Sequence, residues 1–474
     1  MASFRRLFIR PVLPTVLGND ELYALGDSDL LIQFPVETGF LFKGEISLSG
    51  LENALAKTLS SFPLFCGRLT RAADNAYSIK LVNAPVELEI VDTMDMSTFP
   101  QDAVIQDCWS FSSPLDMAAI RRCDDEPLFK MRLTTYTMPQ GSKMSVIGIT
   151  SAHMLGDGSF IVRFWRLLSQ HYQGLPSSDP PITYTRAALN VTHLEARKRD
   201  ELESLFPQLL LRNPKLPPPT ERITLFFTNP QLVALQKALQ QSCNKAAPTS
   251  FSGANSIKLS VQDCVTALVA VACSHAMAQT GDPPVTTIRN VLNLRGGGVV
   301  PISEPLNALS WANATTSSPL DTTMTAVGIR RGFLDARDHA FQTACFLTVC
   351  RLWRRAADEG ASVDFTPLPG ELTLNSSWRF DYTSAHFGFG SDKAHFLHNV
   401  FKAPCYAKIF QRNPPIRLAD DRAVESSRGA EFTFYLLPKH KPLFLQALET
   451  QWRLFNLEGS IEVFDGHLEN TENA

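Results

Sequence analysis

Apolar positions in this chain alternate between a period of two and a period near 3.6, so strands and helices are expected from end to end. Leu51, Leu55 and Leu59 recur at helical spacing in "GLENALAKTLSSFP". "YSIKLV" and "VELEIV" read as strands, and "PLFKMRLTTYTM" and "KMSVIGITSAH" as a strand pair joined by "PQGSK". "SFIVRFWRLLSQHY" then reads as an amphipathic helix with Ile161, Trp165 and Leu168 on one face. In the second half "RITLFFT", "VTTIRNVLNL" and "EFTFYLLP" read as strands. "NPQLVALQKALQQ" reads as a helix with Pro230 in its first turn, and "VQDCVTALVAVACSHAMA" as a buried helix. The pattern predicts an α/β protein with mixed sheets and helices on their faces.

One stretch interrupts the alternation. "FPQLLLRNPKLPPPTER", residues 206–222, carries Pro217, Pro218 and Pro219, which favour an extended conformation. It divides the chain into an N-terminal domain, 1–205, a crossover, 206–222, and a C-terminal domain, 223–474. The length of 474 residues accommodates two such units. No internal repeat accompanies them.

Composition narrows the function. The chain is 44% hydrophobic and 19% charged, with a formal net charge of -3 and no dense basic run, which argues against nucleic acid as a partner. "RRAADEG" and "EARKRDELE" read as solvated helical faces. Nine cysteines without CxxC spacing suit a reduced, cytoplasmic protein, and Cys345 and Cys350 fall in an apolar helical run. The start is broken by Arg10 and two prolines and lacks a signal-peptide core. "CVTALVAVACSHAMA" reads as too short and too polar to span a bilayer, so no membrane span is expected.

The candidate chemistry lies in "SAHMLGDGSF", residues 151–160. A strand ends near Ser151 and a helix begins near Ser159, which puts His153 on the connection, where functional groups are displayed. Three readings are open. A metal site needs further ligands, and the chain has no HExxH; His395 and His398 are the nearest paired histidines in spacing, far along the chain, so no metal is expected. A helix cap needs only Asp157 or Ser159 to accept backbone N–H groups. A catalytic reading uses the neutral imidazole as a base near pH 7. Without a GxSxG elbow, that base would act on a bound nucleophile, and Asp157 would fix the turn, paired with a distant arginine.

Further segments, in order, resemble BAHD-type acyl-CoA-dependent acyltransferases over nearly the whole chain. "LGDSDL" at 25–30 and "FPLFCGRL" at 62–69 are similar to N-terminal elements of that family, and His153, Asp157 and Gly158 supply its HxxxDG signature. "NLRGGG", with Arg295, and "SWANAT" resemble its arginine-bearing strand and a following Gly-Asn pair, with Ala312 in place of the glycine. "NSSWRFDYTSAHFGFG" at 375–390 resembles its Ser-Trp segment and DFGWG loop. There His386 replaces aspartate and Phe389 replaces tryptophan, and Asp381 is a candidate substitute carboxylate. Gly388 and Gly390 are expected to hold a tight turn.

The resemblance implies two similar chloramphenicol-acetyltransferase-like domains with an active-site tunnel between them and His153 midway. It implies acyl-CoA as co-substrate with no permanently bound cofactor, a small-molecule alcohol or amine as acceptor, a monomer, and a role in secondary metabolism. His153 would be the general base, Asp157 a structural support, and Trp378, Ser376 and Ser377 groups near the tetrahedral intermediate. Arg295, Asp381, His386, Gly388 and Gly390 would brace the structure. Two competitors remain at this level: a condensation-type enzyme using carrier-bound donors, and a non-catalytic metabolite binder. The first usually carries two adjacent histidines, where this chain has Ala152 and His153.

Overall fold

A computed structural model describes residues 3–17, 21–32, 34–100, 104, 111–185, 201–206, 218–246, 257–296, 299–361, 363–391, 393–414 and 429–464. Two mixed sheets organise them. The first has six strands in the order Ser3–Ile9, Val86–Thr93, Phe129–Thr137, Lys143–Ala152, Pro35–Phe42 and Ala394–His398. The second has seven, in the order Leu309–Thr315, Thr287–Asn293, Glu371–Ser376, Tyr406–Gln411, Ala430–Leu436, Glu221–Phe227 and Glu462–Phe464. The strand Ala394–His398 comes from the C-terminal half yet pairs antiparallel with Pro35–Phe42, so the second half of the chain completes the first sheet. Of the crossover, residues 207–217 lie outside the described residues, and the strand Glu221–Phe227 begins within its expected span. Most of "EARKRDELE" also lies outside them.

The paired strands around "PQGSK" form, in register from Phe129↔Ser151 to Thr137↔Lys143. The helix that follows runs Gly158–Tyr172 and buries Ile161, Trp165 and Leu168 completely or nearly so. Its other buried rings, with Phe129 on the strand Phe129–Thr137, gather the "FPLFCGRL" segment: Phe65 lies 5.0 Å from Phe164 and 4.8 Å from Phe129, and Phe62 lies 5.1 Å from Phe160. Such pairs add specific ring geometry to area burial. The buried indole of Trp165 donates to Thr38 Oγ1 at 2.9 Å and ties the helix to the neighbouring strand.

The second sheet is covered on one face by Asn229–Ala246, Val261–Gln279, Thr322–Asp335 and Lys441–Leu454. Val261–Gln279 corrects the expectation about its length: at 19 residues, with a mean hydropathy of 1.4, it is long and apolar enough to cross a membrane by length and composition. Here 78% of that window is buried in the core, where all-round apolarity has a packing cause. The sheet's other face is turned to a cavity.

The loop at 386–390 docks on the C-terminal part of the helix Gly158–Tyr172. Phe387 N donates to Ser169 Oγ at 2.9 Å, and the Phe387 ring lies 5.4 Å from Tyr172. His386 replaces an aspartate by geometry: its Nδ1 accepts the Gly388 N–H at 3.1 Å, the bond a short carboxylate makes in such a turn. Phe389 stacks on Phe42 at 5.3 Å. Asp381 is not the substitute partner for an arginine. Its carboxylate caps the turn Tyr382–Ser384, accepting from Thr383 Oγ1 at 2.7 Å and Ser384 N at 3.2 Å. Gly388 and Gly390 have φ of 85° and 95°, as a tight turn requires. Gly388→Ala is expected to lower stability by about 1–2 kcal/mol through left-handed backbone strain, with turnover at saturating substrate unchanged; a denaturant titration checks the first and an initial-rate assay the second.

Candidate active site

The chain leaves the first sheet where Pro35↔Ala152 ends the register, and enters a short turn, His153–Leu155. The turn is fixed from both halves of the molecule. His153 N donates to Phe34 O at 2.9 Å, while the His153 carbonyl accepts from Gly156 N at 3.1 Å and from Asn307 Nδ2 at 2.8 Å. Gly156 has φ 147°, and a Cβ there would stand 2.5 Å from the Phe160 ring, so a side chain would displace the turn.

Asp157 is 1% exposed and caps the following helix. Oδ1 accepts from Ser159 N at 3.1 Å, Ser159 Oγ at 2.7 Å and Phe160 N at 3.2 Å. Oδ2 accepts from Arg295 Nη1 at 2.6 Å and Ala308 N at 3.0 Å. None of these bonds goes to the His153 ring. Burial alone would raise the carboxyl; the Arg295 guanidinium and the Ser159 and Ala308 hydrogen bonds outweigh it and hold Asp157 below the ordinary carboxylate value. Arg295 also donates to the Glu304 carbonyl at 2.8 Å and the Leu306 carbonyl at 2.6 Å. The capping and pairing readings of Asp157 are therefore both realised, by different oxygens.

His153 lies deep in the molecule but keeps accessible surface, because it faces the cavity. Burial lowers its pKa, against opposing effects from its own backbone, Asp157 and Asn307, so the imidazole is neutral near pH 7. The cavity has a volume of about 430 Å³. Pleating builds its second wall: Val291, Asn293, Leu309, Trp311, Thr373, Asn375, Tyr406 and Lys408 face it, two from each of four adjacent strands. The alternate residues Leu372, Leu374, Ala407 and Ile409 enter the core. Phe34, Val36, Thr38, Ile161 and Val162 line it from the first half. A neutral imidazole is thus set in a cavity walled by both sheets. Among the described residues, no three His, Cys, Asp or Glu side chains are grouped to hold a metal ion.

A model of the Transferase family matches residues 25–410. The chain belongs to this family, the BAHD acyltransferases. Among solved structures, vinorine synthase is similar at 13% identity, covering 97% of this chain and 99% of that one, with a TM-score of 0.63. TRI101 of F. sporotrichioides, complexed with coenzyme A and T-2, is similar at 15% identity, covering 93% and 99%, with a TM-score of 0.62. TRI101 of F. graminearum, complexed with coenzyme A and deoxynivalenol, is similar at 14% identity, covering 92% and 98%, with a TM-score of 0.63. No curated protein sequence matches.

Within this BAHD fold most of the residues picked from the sequence converge. His153, Asp157, Gly158, Ser376 and Ser377 line the cavity. Arg295 belongs to Asp157 rather than to the 386–390 loop. Trp378 is a correction. It is not among the cavity-lining residues; it follows the end of the strand Glu371–Ser376 and packs half-buried against the core of the second sheet. The asparagine after the arginine is also corrected. Asn313 lies on the strand Leu309–Thr315 and bonds the Leu205 carbonyl and Arg289. The residue that reaches the histidine turn is Asn307, preceded by Leu306 at φ 64°, a conformation that glycine favours. Asn307 N is held by Asp29 Oδ1 at 3.1 Å, which connects "LGDSDL" to the same turn. An apolar residue at the left-handed position concealed this pattern in the sequence.

Asp157→Asn keeps the shape of the cap but leaves Arg295 buried without its anion, and is expected to cost about 3–5 kcal/mol in a chemical melt, with loss of turnover. Because the Asp157 pKa is lowered on folding, the stability it contributes is present above about pH 4 and is lost as pH falls through its folded value. The lowered His153 pKa predicts that kcat/KM stays flat from neutral pH down to about 6.5 and declines only below it, on a pH–rate profile.

Proposed function

We propose that the chain transfers an acyl group from a CoA thioester to the hydroxyl, less often the amine, of a small-molecule acceptor. The observation that carries this reading is the neutral imidazole of His153 in the cavity wall, with Asp157 fully engaged elsewhere. His153 Nδ1 is enclosed, which leaves Nε2 as the nitrogen turned to the cavity. Nε2 takes the acceptor proton as the acceptor oxygen attacks the thioester carbon. The tetrahedral oxyanion collapses, the carbon–sulfur bond breaks, and the imidazolium returns its proton to the departing sulfur as CoA thiol. Donor and acceptor meet in one ternary complex with the protein and no acyl-enzyme forms, so much of the barrier is removed by holding both substrates together.

The Ser376 and Ser377 hydroxyls are the candidate oxyanion donors on the facing wall. Ser376 Oγ donates to Gln262 Oε1 at 2.8 Å, on the helix that covers the sheet's core face, so serving the intermediate would require it to leave that bond. Such a donor contributes on the order of 3 kcal/mol to the transition state. TRI101, a structural neighbour, holds coenzyme A in its solved complexes, which supports a CoA thioester as donor for this chain. Both walls come from one chain, which supports a monomeric enzyme.

His153→Ala is expected to abolish thiol release from acyl-CoA in the presence of an acceptor library while calorimetric binding of CoA survives. Product mass spectrometry with a mixed acyl-CoA pool then identifies the transferred group. Near wild-type turnover in the His153→Ala protein would overturn the mechanism.

A further inference from the structure

Lys408 faces the cavity from the strand Tyr406–Gln411, between Ala407 and Ile409, which are buried in the core. Its ammonium makes a single described hydrogen bond, a long one of 3.4 Å to the Asn399 carbonyl. Among the described residues no carboxylate stands within ion-pair distance of it. Several deeply placed cations are paired: Arg289 with Glu371 at 2.7 Å, Arg132 with Glu89 at 2.6 Å, Lys441 with Glu221 at 3.0 Å. A desolvated cation is costly unless it meets an anion.

Among the described residues, the groups around Lys408 form no ion pair with it. Asn375 stands opposite it in the register, Tyr406 lies two residues before it, and His398 is neutral, its pKa pushed down by burial and by Lys408 and Arg222. Glu37, on the same wall, accepts from the Asn399 amide at 2.9 Å. Burial lowers the Lys408 pKa to about 8, which leaves it protonated at neutral pH. The other end of the wall is different in kind. Trp311 lies three strands away in the sheet, about 14 Å at ordinary strand spacing, beside Trp353, with Phe34 against Phe365. The cavity therefore has an aromatic end and a charged end, where Lys408 and Glu37 both reach Asn399.

We infer that Lys408 is the counter-cation for an anionic group carried by a substrate of this cavity, a carboxylate or a phosphate. The inference rests on the acyl-transfer reading for the identity of the substrates, but not for its test, which reads equilibrium binding. Three sources of the anion are separable: the acyl group, the acceptor and the CoA phosphates. Calorimetric dissociation constants are measured for malonyl-CoA against acetyl-CoA, 4-hydroxybenzoate against its methyl ester, and CoA against pantetheine. The proteins are the wild type, Lys408→Met, which keeps the aliphatic stem, and Lys408→Arg, which keeps the charge.

Lys408→Met is expected to weaken the more anionic member of one pair by about 30-fold or more and its partner by less than about threefold; if the CoA phosphates are the source, malonyl-CoA and acetyl-CoA, which both carry them, weaken together with CoA. Lys408→Arg recovers part of the loss. The pair affected names the source. Equal affinities of wild type and Lys408→Met for all six probes, or losses as large for pantetheine and the methyl ester as for CoA and 4-hydroxybenzoate, would overturn the inference. A wild type that binds these probes but turns over no acyl-CoA would contradict the acyl-transfer reading and leave the role of Lys408 to be decided by the same constants.

Discussion

The buried pair between Asp157 and Arg295 is the constraint on which the site depends. Asp157 stands at the start of the helix after the first sheet, and Arg295 follows a strand of the second. Their contact at 2.6 Å joins the two walls of the cavity directly behind the histidine turn. Removing two charges from water costs several kcal/mol per ion, so the pair is poor evidence of net stability. What it supplies is position. Each carboxylate oxygen is saturated, and Arg295 reaches the Leu306 carbonyl while Asp157 N donates to that same carbonyl at 3.2 Å. The segment 306–308 is thereby held against the turn, and Asn307 with it.

From this lock the geometry of His153 follows. Its backbone is gripped by Phe34 on one side and Asn307 on the other, and its ring is left to the cavity. Desolvation outweighs the opposing pull of Asp157, whose carboxylate is paired with Arg295, and keeps the imidazole neutral. A base in this condition suits proton transfer from a bound nucleophile near neutral pH. The 386–390 loop supports the arrangement from the far end of the helix that Asp157 caps, and the replacement of an aspartate by His386 leaves its turn bond in place.

Much of this was legible in the sequence, and the exceptions have physical causes. Period-two and period-3.6 patterns located the helix Gly158–Tyr172 and the strand pair before it, because one buried face imposes a regular spacing. The HxxxDG spacing placed His153 on a strand-to-helix connection and permitted Asp157 to pair elsewhere. Strands such as Ala394–His398, buried along its whole length, carry no alternation to read. Trp378, which the resemblance put near the reacting groups, packs against the core of the second sheet, since successive residues at the end of a strand diverge in facing. Asn307 was missed because its neighbour Leu306 holds a left-handed conformation without being glycine, so composition gave no sign of the turn. Lys408 was invisible for a related reason. Its significance is that no described carboxylate pairs with it, which only the register of strands brings to view.

The central claim is that His153 activates a bound acceptor and that no acyl group is ever attached to the protein. Intact-protein mass spectrometry after incubation with acyl-CoA alone, with free thiol quantified in the same sample, tests it most directly. The account predicts an unchanged protein mass and no thiol release on the time scale of turnover until acceptor is added. A stoichiometric burst of thiol with a matching acyl mass increment in the absence of acceptor, carried through to product when acceptor follows, would contradict it.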